Sequence, residues 1–430
     1  MKGAAQAVEL LSRREISAEE LVRGCLLRIS EREPAVQAWE VLDAEGALGE
    51  ARRIDALRER PLLSGLPIGI KDLIDTADLP TAYGSPIYRG HRPAADAACV
   101  RALRKAGAVV LGKTVTTEFA VYSPGKTRNP RDPSRTPGGS SSGSAAAVAD
   151  GMVPAALGTQ TAGSIIRPAS FCGAIGWKPT HGAFDLAGVH PLAPSLDTLG
   201  FFVQALEDVP VLTAALLGRP PPPMPRPPRR PVFGLCRTEL WDRLEPATRG
   251  AIEDAAARLG RGGAEVREAD LGPSFLGLVE AQVAIMGAEA ALELREELEE
   301  RTSDLSPRLR EFLEAGRACS PARLLAAREQ AERCRREMDG VLASLDALLT
   351  PAAAGEAPVG LSSTGDPAFC RIWTLLGTPC VSLPVLRGPS GLPVGLQLVG
   401  RRGGEEGLLA AAAFVYDGGA GLVRSPDTWR

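Results

Sequence analysis

The sequence predicts an α/β layer architecture, because segments with helical spacing alternate with short apolar segments along the chain. Residues 4–32 and 43–59 carry apolar residues at helical spacing, and Pro61–Ile70 predicts a turn entering a short apolar strand. Ala97–Lys105 then favours a helix, and Ala108–Leu111 favours a buried strand. Helix and strand therefore succeed each other through the first part of the chain.

The second half of the chain predicts a helical middle followed by a return to strands. Residues 246–345 are rich in Ala, Leu, Glu and Arg at helical spacing, with breaks at Pro307 and Pro321. Three strand-like segments follow, at Asp346–Thr350, Thr378–Leu386 and Gly391–Gly400. Between the halves, Arg219–Pro231 is so rich in proline that we expect it to be extended and exposed. We interpret it as a spacer within one fold, with a ligand for a proline-binding domain as the open alternative.

Composition and charge argue against several classes of protein. The chain has 430 residues, of which 44% are hydrophobic, and its formal net charge is −3. That balance predicts neither nucleic acid nor an anionic membrane surface as a partner. The sequence has no run of about 18 apolar residues, the length expected of a membrane span, and its start predicts an amphipathic helix rather than a signal peptide.

The eight cysteines are scattered, with no CxxC pair and no Cys/His cluster at zinc-ligand spacing. So sparse a pattern in a long chain is typical of a reduced, cytoplasmic protein. We therefore expect a cytoplasmic location and no metal site.

Residues 133–183 differ from the rest of the chain, since they are dense in Gly, Ser, Thr and Pro and poor in charge. A flexible linker is one interpretation of such a composition. Apolar and small residues are nevertheless mixed through its later part, which allows close packing and inward-pointing backbone amides. Nucleophilic catalysis by a serine of this stretch would also need a base and amides that hold an oxyanion.

Histidine is the usual base, but the chain has only His91, His181 and His190. Neither His181 nor His190 lies beside an acidic residue in the sequence, although a Ser-His-Asp triad stays open because its members meet in space. The sequence GSSSG matches the nucleophile elbow with Ser141 at its centre. No strand is predicted before Gly138, so we interpret this match as accidental.

Lysine is the alternative base. With an ordinary pKa of about 10.4 it is protonated at neutral pH, so burial or a nearby cation must favour its neutral form. Among six lysines, Lys71 follows the apolar run LPIGI, whereas Lys2 and Lys105 lie on predicted exposed helix faces. Lys178 in GWKPT is the rival candidate, and a surface position at a strand end is the structural alternative for Lys71.

A resemblance to a known family rests on one long motif and several shorter ones. Pro137–Thr180, with the sequence PGGSSSGSAAAVADGMVPAALGTQTAGSIIRPASFCGAIGWKPT, resembles the hallmark of the amidase signature family. The similarity extends to GLPIGIKDLID at 65–75 and AGAVVLGKTVTTEFA at 106–120. It also covers DALLTPAA at 346–353, and GTPCVSLPV with GLPVGLQLVG at 377–400. The resemblance therefore spans most of the chain.

This resemblance implies an α/β fold with a mixed, mostly parallel twisted central sheet covered by helices on both faces. It implies a single amidase domain over residues 1–430, in which residues from about 232 to 345 form a helical substrate-side region inserted in the core fold. The implied activity is hydrolysis of a carboxamide C–N bond through a serine acyl-enzyme, which gives a carboxylate and ammonia or an amine. No metal or organic cofactor is implied.

The catalytic unit of the family is Ser-cisSer-Lys. The resemblance places its nucleophile on Ser164, its bridging serine on Ser140 and its lysine on Lys71, with a cis peptide bond before Ser140. It places the oxyanion hole on four backbone N–H groups, those of Thr161, Ala162, Gly163 and Ser164. The structural alternative is that Ser140 or Ser144 only caps a helix starting near Ala145.

The sequence departs from the family pattern at a few positions. Many members have arginine two residues after the nucleophile, where Ile166 stands here, and Arg167 follows it. A guanidinium at that place could clamp a substrate carboxylate, which predicts a small amide bearing an acid group. An ion pair or carbonyl contacts are the structural alternative. Ser142 replaces a common glycine, and Thr374 stands where asparagine is frequent, which leaves one wall of the pocket open to question.

Three functions are compatible with these observations. The first is a free-standing amidase that acts on a small-molecule amide, as a monomer or a homodimer. The alternative is the glutaminase subunit of a tRNA-dependent amidotransferase, which releases ammonia from glutamine for a partner. The chain lacks the longer C-terminal tail that we expect of that subunit. The third is a catalytically silent scaffold on the same fold.

Overall fold

The computed structural model describes residues 3–416, in which all the strands belong to one eleven-stranded sheet. In chain order the strands are β1 (Trp39–Leu42), β2 (Pro67–Lys71), β3 (Val109–Thr114), β4 (Ala155–Gln160), β5 (Ile175–Lys178), β6 (Thr198–Val203), β7 (Val232–Leu235), β8 (Glu265–Glu268), β9 (Ala347–Pro351), β10 (Cys380–Arg387) and β11 (Pro393–Val399). Their order across the sheet is β1-β3-β2-β4-β6-β5-β10-β11-β9-β7-β8.

The α-helices of the described residues alternate with these strands through the first half of the chain and cluster in the second half. They are α1 (Ala4–Ser12), α2 (Ala18–Val36), α3 (Ala44–Asp55), α4 (Ala98–Lys105), α5 (Ser142–Ala149), α6 (Ile166–Cys172), α7 (Asp208–Leu217), α8 (Pro246–Arg261), α9 (Leu278–Glu293), α10 (Arg295–Glu300), α11 (Pro307–Arg317), α12 (Pro321–Val341), α13 (Ala368–Leu375) and α14 (Glu405–Tyr416).

Helices cover both faces of the sheet, which confirms the predicted architecture. Along β3, Val109 and Leu111 pack into an apolar cluster with α2, α3 and α5. Val110, between them, packs into a second cluster with α4 and α7. Because successive side chains of a strand point to opposite faces, the continuous apolar run of β3 is buried on both sides.

The sheet is mixed, as predicted, but its parallel share is smaller than predicted. Of the strand pairs in the described residues, four are parallel and six are antiparallel. The parallel pairs form β3-β2-β4 near one edge and β9-β7-β8 at the other, and the centre between them is antiparallel. Antiparallel neighbours such as β10 and β11 need only a short hairpin connection, whereas parallel neighbours need a crossover.

The first predicted helix, over residues 4–32, consists of two helices, α1 and α2. Ser17 and Glu20 start the second one with a capping box, in which Ser17 Oγ accepts from Glu20 N at 3.1 Å. The carboxylate of Glu20 accepts in turn from Ser17 N at 2.8 Å. The apolar spacing continues across the break, so periodicity alone does not reveal it.

One segment, Pro273–Glu293, is long and apolar enough to cross a membrane by length and composition, which the sequence analysis did not anticipate. In the structure 56% of its apolar window is buried. Its helix α9 packs against α11, α12 and α13. A buried core helix passes the same test, so this segment is weak evidence for a membrane.

The proline-rich segment lies between the end of α7 and the start of β7 and contains neither helix nor strand. Most of it is exposed, although Met224 packs against the core. The region that follows contributes the strands β7 and β8 to one edge of the sheet and the helices α9 to α12 to a separate apolar cluster. That cluster borders the site described next.

Candidate active site

Two neighbouring parallel strands position the predicted base. Lys71 is the last residue of β2 and Thr159 lies near the end of β4, and both are buried. Lys71 Nζ lies 2.8 Å from Ser140 Oγ and 2.7 Å from Thr159 Oγ1. The amine therefore faces two hydroxyl groups inside the protein.

Burial lowers the pKa of Lys71 to about 7, because a charged amine loses its hydration there. Asp197 opposes this shift, since its negative charge favours the charged amine. Burial raises the pKa of Asp197 to about 6, against the effect of its own hydrogen bonds. Its carboxylate accepts from Thr161 Oγ1 at 2.5 Å and from the amides of Leu192 and Ala193 at 2.8 and 3.0 Å. A neutral amine is thus populated near neutral pH.

Ser140 lies on a turn that requires glycine at position 138. The Gly139–Ser140 peptide bond is cis, and Gly138 has a φ of 82°. A Cβ atom on Gly138 would lie 2.8 Å from Pro168 Cα, and one on Gly139 would lie 2.7 Å from the Thr364 side chain. Positive φ and close approach together exclude other residues at position 138.

Ser164 lies on the loop between β4 and α6, which two polar side chains hold in place. Gln160 Oε1 accepts from the amides of Ile165 and Ile166 at 2.8 and 3.0 Å, and Gln160 Nε2 donates to Thr374 Oγ1 at 2.9 Å. Thr374 in turn donates to Ala162 O at 2.6 Å. Thr374, one of the departures from the family pattern, therefore helps to hold the loop that carries Ser164.

The same loop presents free backbone donors. Within residues 3–416, the amides of Ala162, Gly163 and Ser164 donate to no protein acceptor. Ser141 N donates to Ser164 O at 3.4 Å, which joins this loop to the turn that carries Ser140. The three predicted catalytic residues are thus brought together, with unused amides beside them.

A pocket with an empty volume of about 500 Å³ opens onto these residues. Ser140 and Ser164 both line it, and Met286 and Arg308 reach it from the helical region. Its wall carries three guanidinium groups, those of Arg167, Arg308 and Arg371. Among the described residues that line it, none is acidic. The pocket is therefore positively charged.

Arg167 is buried beside the turn that carries Ser140. Its Nη2 donates to Gly139 O at 2.7 Å and to Thr364 Oγ1 at 3.1 Å. Its Nε and Nη1 have no partner within the described chain. Burial lowers the pKa of Arg167 to about 10, which leaves it charged at neutral pH. One carbonyl and one hydroxyl thus occupy Nη2, and the rest of the guanidinium is unpaired within the described chain.

The other candidates from the sequence do not assemble into a site. Lys178 Nζ donates to the carbonyl oxygens of Pro179 and Thr378, at 3.0 and 2.6 Å. Ser141 Oγ donates to Thr159 O at 3.2 Å and does not follow a strand. His190 packs on Tyr83, with ring centroids 4.4 Å apart, and Nδ1 lies 3.1 Å from the carbonyl oxygen of the next residue.

The remaining histidines, and two serines at the start of α5, have structural partners as well. His91 stacks near Tyr83 and Tyr88, and His181 Nε2 lies 3.1 Å from Pro194 O. Ser142 Oγ donates to Val115 O at 3.2 Å at the start of α5. Ser144 lies in the same helix, and its Oγ donates to the carbonyl oxygen of Leu157 in β4 at 2.8 Å.

Sequence reasoning missed four residues of this site. Thr159 and Gln160 lie inside the long motif, and their position shortly before Ser164 in the sequence could have indicated them. Asp197 and Arg371 lie outside it, and nothing in their local sequence indicates a position near Lys71 or the pocket.

Comparisons with known proteins show which class of protein this fold and site define. A family model described as Amidase matches residues 20–409, so the chain belongs to that family of hydrolases, the one its motifs resemble. The chain is 35% identical over 458 residues to a subunit of the glutamyl-tRNA(Gln) amidotransferase of Roseiflexus castenholzii (strain DSM 13941 / HLO8), with 94% of this chain and 93% of the relative covered. The same subunit of Chloroflexus aggregans (strain MD-66 / DSM 9485) is 35% identical over 449 residues, with 92% of each chain covered.

Solved structures agree on the fold. A crystal structure of an amidase superposes with a TM-score of 0.88 at 34% identity, covering 96% of this chain and 99% of that one. A component of a vestigial protein complex connected with the origin of an s-triazine catabolic enzyme superposes with a TM-score of 0.90 at 29% identity, covering 99% and 100%. The corresponding glutamyl-tRNA(Gln) amidotransferase subunit of Thermotoga maritima gives 0.80 at 28%, covering 97% and 94%.

Proposed function

We propose that this chain hydrolyses a carboxamide C–N bond with Ser164 as nucleophile, Ser140 as proton relay and Lys71 as base. One observation carries the proposal: the fully buried Lys71 amine lies 2.8 Å from the Ser140 hydroxyl, with a pKa lowered to about 7. A lysine in this state can accept a proton at neutral pH. Ser140 lines the same pocket as Ser164, so the relay has a geometric basis.

In the proposed reaction, neutral Lys71 takes the hydroxyl proton of Ser140 while Ser140 takes that of Ser164, whose oxygen attacks the carbonyl carbon. The amides of residues 161–164 hold the oxyanion, and each donor of this kind is worth about 3 kcal/mol in the transition state. The C–N bond breaks as the proton returns through Ser140 to the leaving ammonia or amine. Water then cleaves the acyl-Ser164 ester by the same relay, which releases a carboxylate and restores the serine.

The substrate in this proposal is a small amide that bears a carboxylate, for which Arg167 supplies the buried guanidinium. A glutaminase subunit of an amidotransferase is the second candidate, and the names of the similar curated proteins favour it. In that case a partner protein would receive the ammonia. Glutamine also carries an ammonium group, however, and the described residues that line the pocket offer it no carboxylate. The relatives and the pocket thus favour different amides.

An assay of ammonia release with and without added partner proteins distinguishes the two candidate functions. A free-standing amidase releases ammonia from its amide without any other protein. Glutaminase activity that appears only when the chain is mixed with the other subunits of a glutamyl-tRNA(Gln) amidotransferase would establish the second candidate.

The experiment that tests the shared chemistry is labelling with a fluorophosphonate, which reacts with activated serines. We expect mass spectrometry to find the adduct on Ser164, and we expect Ser164→Ala to abolish both labelling and ammonia release. Ser141→Ala is the matched control, because its hydroxyl contacts backbone rather than Lys71. Ammonia release that survives in Ser164→Ala would overturn the assignment of the nucleophile.

A cytoplasmic location is also proposed. The cysteines of residues 3–416 form no disulfide bond, which supports a reducing compartment.

A further inference from the structure

The pocket contains an arginine that the sequence analysis did not single out. Helix α13 places Arg371 in the pocket wall, where the residue is only 6% exposed. Its Nη1 donates to Gln282 Oε1 and lies 3.8 Å from Met286 Sδ. No carboxylate within residues 3–416 pairs with it, and its Nε and Nη2 donate to no protein acceptor there. A guanidinium has five donors, so most of this one is unused.

The charges around Arg371 make this arrangement unusual. Buried arginines are normally paired with a carboxylate, because an isolated buried charge is costly. Here two further cations, Arg167 and Arg308, line the same pocket, and the charge of Arg371 contributes to the lowered pKa of Arg167. Asp366 acts on Arg167 from outside the pocket lining, but its carboxylate already accepts from Arg243 at 2.5 Å. Within residues 3–416, therefore, no carboxylate forms an ion pair with Arg167 or Arg371.

We propose that Arg371 is a specificity-determining residue that binds a carboxylate of the substrate together with Arg167, so that the substrate class is amides with net negative charge and no ammonium group. This inference rests on the proposed amidase function and names the substrate class of the same site. A carboxylate would satisfy the unused donors and neutralise the two like charges. An ammonium group would meet three like charges and, among the described residues that line the pocket, no carboxylate.

Arg371 is also connected, through Gln282, to the loop that carries Ser164. Gln282, which accepts from Arg371, donates through its Nε2 to Thr161 O at 2.9 Å. Binding of an anion by Arg371 is therefore connected, through one side chain, to the loop whose amides face the pocket. If Arg371 only held Gln282 in place, its loss would affect every amide equally. The charge of the substrate thus distinguishes a binding residue from a structural one.

The test compares three amides of one chain length. Glutaramate carries the carboxylate, pentanamide lacks it, and glutamine carries the carboxylate and an added ammonium group. We expect wild type to prefer glutaramate to each of the other two by about 100-fold in kcat/KM, the size of one well-placed ionic contact. We expect Arg371→Gln to reduce the preference for glutaramate over pentanamide at least tenfold, mainly through KM. Gln282→Ala, the matched control, should lower kcat for both amides by a similar factor.

A binding measurement keeps the inference testable even if none of the amides is hydrolysed. Malonate, succinate and glutarate are titrated by calorimetry into the Ser164→Ala protein with and without Arg371→Gln. We expect at least one dicarboxylate to bind, and Arg371→Gln to weaken it about tenfold or more. Equal affinities in both proteins, or equal losses for glutaramate and pentanamide in Arg371→Gln, would overturn the role of Arg371. Failure of all amides with intact dicarboxylate binding would instead overturn the proposed hydrolysis.

Discussion

Two buried lysines on adjacent parallel strands, Lys71 in β2 and Lys113 in β3, have opposite surroundings. Both side chains are fully buried, and burial lowers the pKa of each. Lys113 Nζ donates to Ile74 O and Thr81 Oγ1, both at 2.5 Å, and lies 3.6 Å from Asp72. Within the described part of the chain, Lys71 Nζ donates only to the hydroxyls of Ser140 and Thr159. The two amines therefore differ in the oxygens that surround them, not in depth.

This difference favours Lys71 for the proposed catalytic role and Lys113 for a structural one. Lys113 also contacts one hydroxyl, that of Thr81, but the carbonyl of Ile74 and the carboxylate of Asp72 can only accept, so they favour Lys113 as a cation. A hydroxyl both accepts and donates, so a proton can move between Lys71 and Ser140. Lys178, the rival candidate, belongs with Lys113, because its amine donates to two carbonyl oxygens.

Replacing Lys71 by methionine should have the largest effect on the reaction rate. We expect Lys71→Met to lower kcat about 10³-fold or more, since general base catalysis typically contributes about 10²–10⁴-fold. The melting temperature should stay the same or rise, because an apolar chain replaces a buried amine. Ammonia release and thermal melting provide the two measurements. Near-normal turnover in this variant would contradict the assignment of the base.

Lys113→Met should give the reverse result. Removing one partner of a buried ion pair costs about 3–5 kcal/mol, because Asp72 is left without its counterion. We expect a lower midpoint in urea unfolding and little change in kcat per folded molecule. A large fall in kcat with an unchanged midpoint would show that the two lysines do not have separate roles.

The pH dependence of kcat/KM should show a smaller effect that reports on the protonation of Lys71. The base must be neutral, so kcat/KM should rise as pH increases through the pKa of Lys71, about 7, and level off above it. The negative charge of Asp197 raises that pKa, so Asp197→Asn should move the rising limb to lower pH. Asp208 is a matched control, since it is equally buried with a raised pKa but contacts the amides of Ala5 and Ala205. A limb that moves in Asp208→Asn and not in Asp197→Asn would refute this origin of the pH dependence.

The smallest expected effect concerns Thr159, the second hydroxyl partner of Lys71. A neutral hydrogen bond is worth about 1 kcal/mol, so Thr159→Val should lower kcat about fivefold. Thr159→Ser should restore most of the rate, because it keeps the hydroxyl. A loss in Thr159→Val as large as that in Lys71→Met would mean that Thr159, rather than Ser140, carries the proton.

Local sequence was informative wherever a property depends on neighbouring residues. The alternation of helical and apolar segments predicts the layers of the fold, and the long motif brings Ser140 and Ser164 to candidate status. The apolar run before Lys71 predicts its burial, which the structure shows in full. The capping box at Ser17 is also local, since both partners lie within one turn, but the sequence analysis did not use it and predicted one helical segment where there are two helices.

Tertiary structure decided what depends on residues far apart in the chain. The antiparallel centre of the sheet follows from which strands become neighbours, and apolar strands have no local pattern that specifies a partner. Asp197 influences Lys71, and Arg371 meets Gln282, although 89 residues separate the latter two. Such contacts form when distant segments pack against one core, so no spacing in the sequence announces them. The sequence by itself therefore determined the chemical groups of this protein, and folding determined the charge and the shape of the pocket around them.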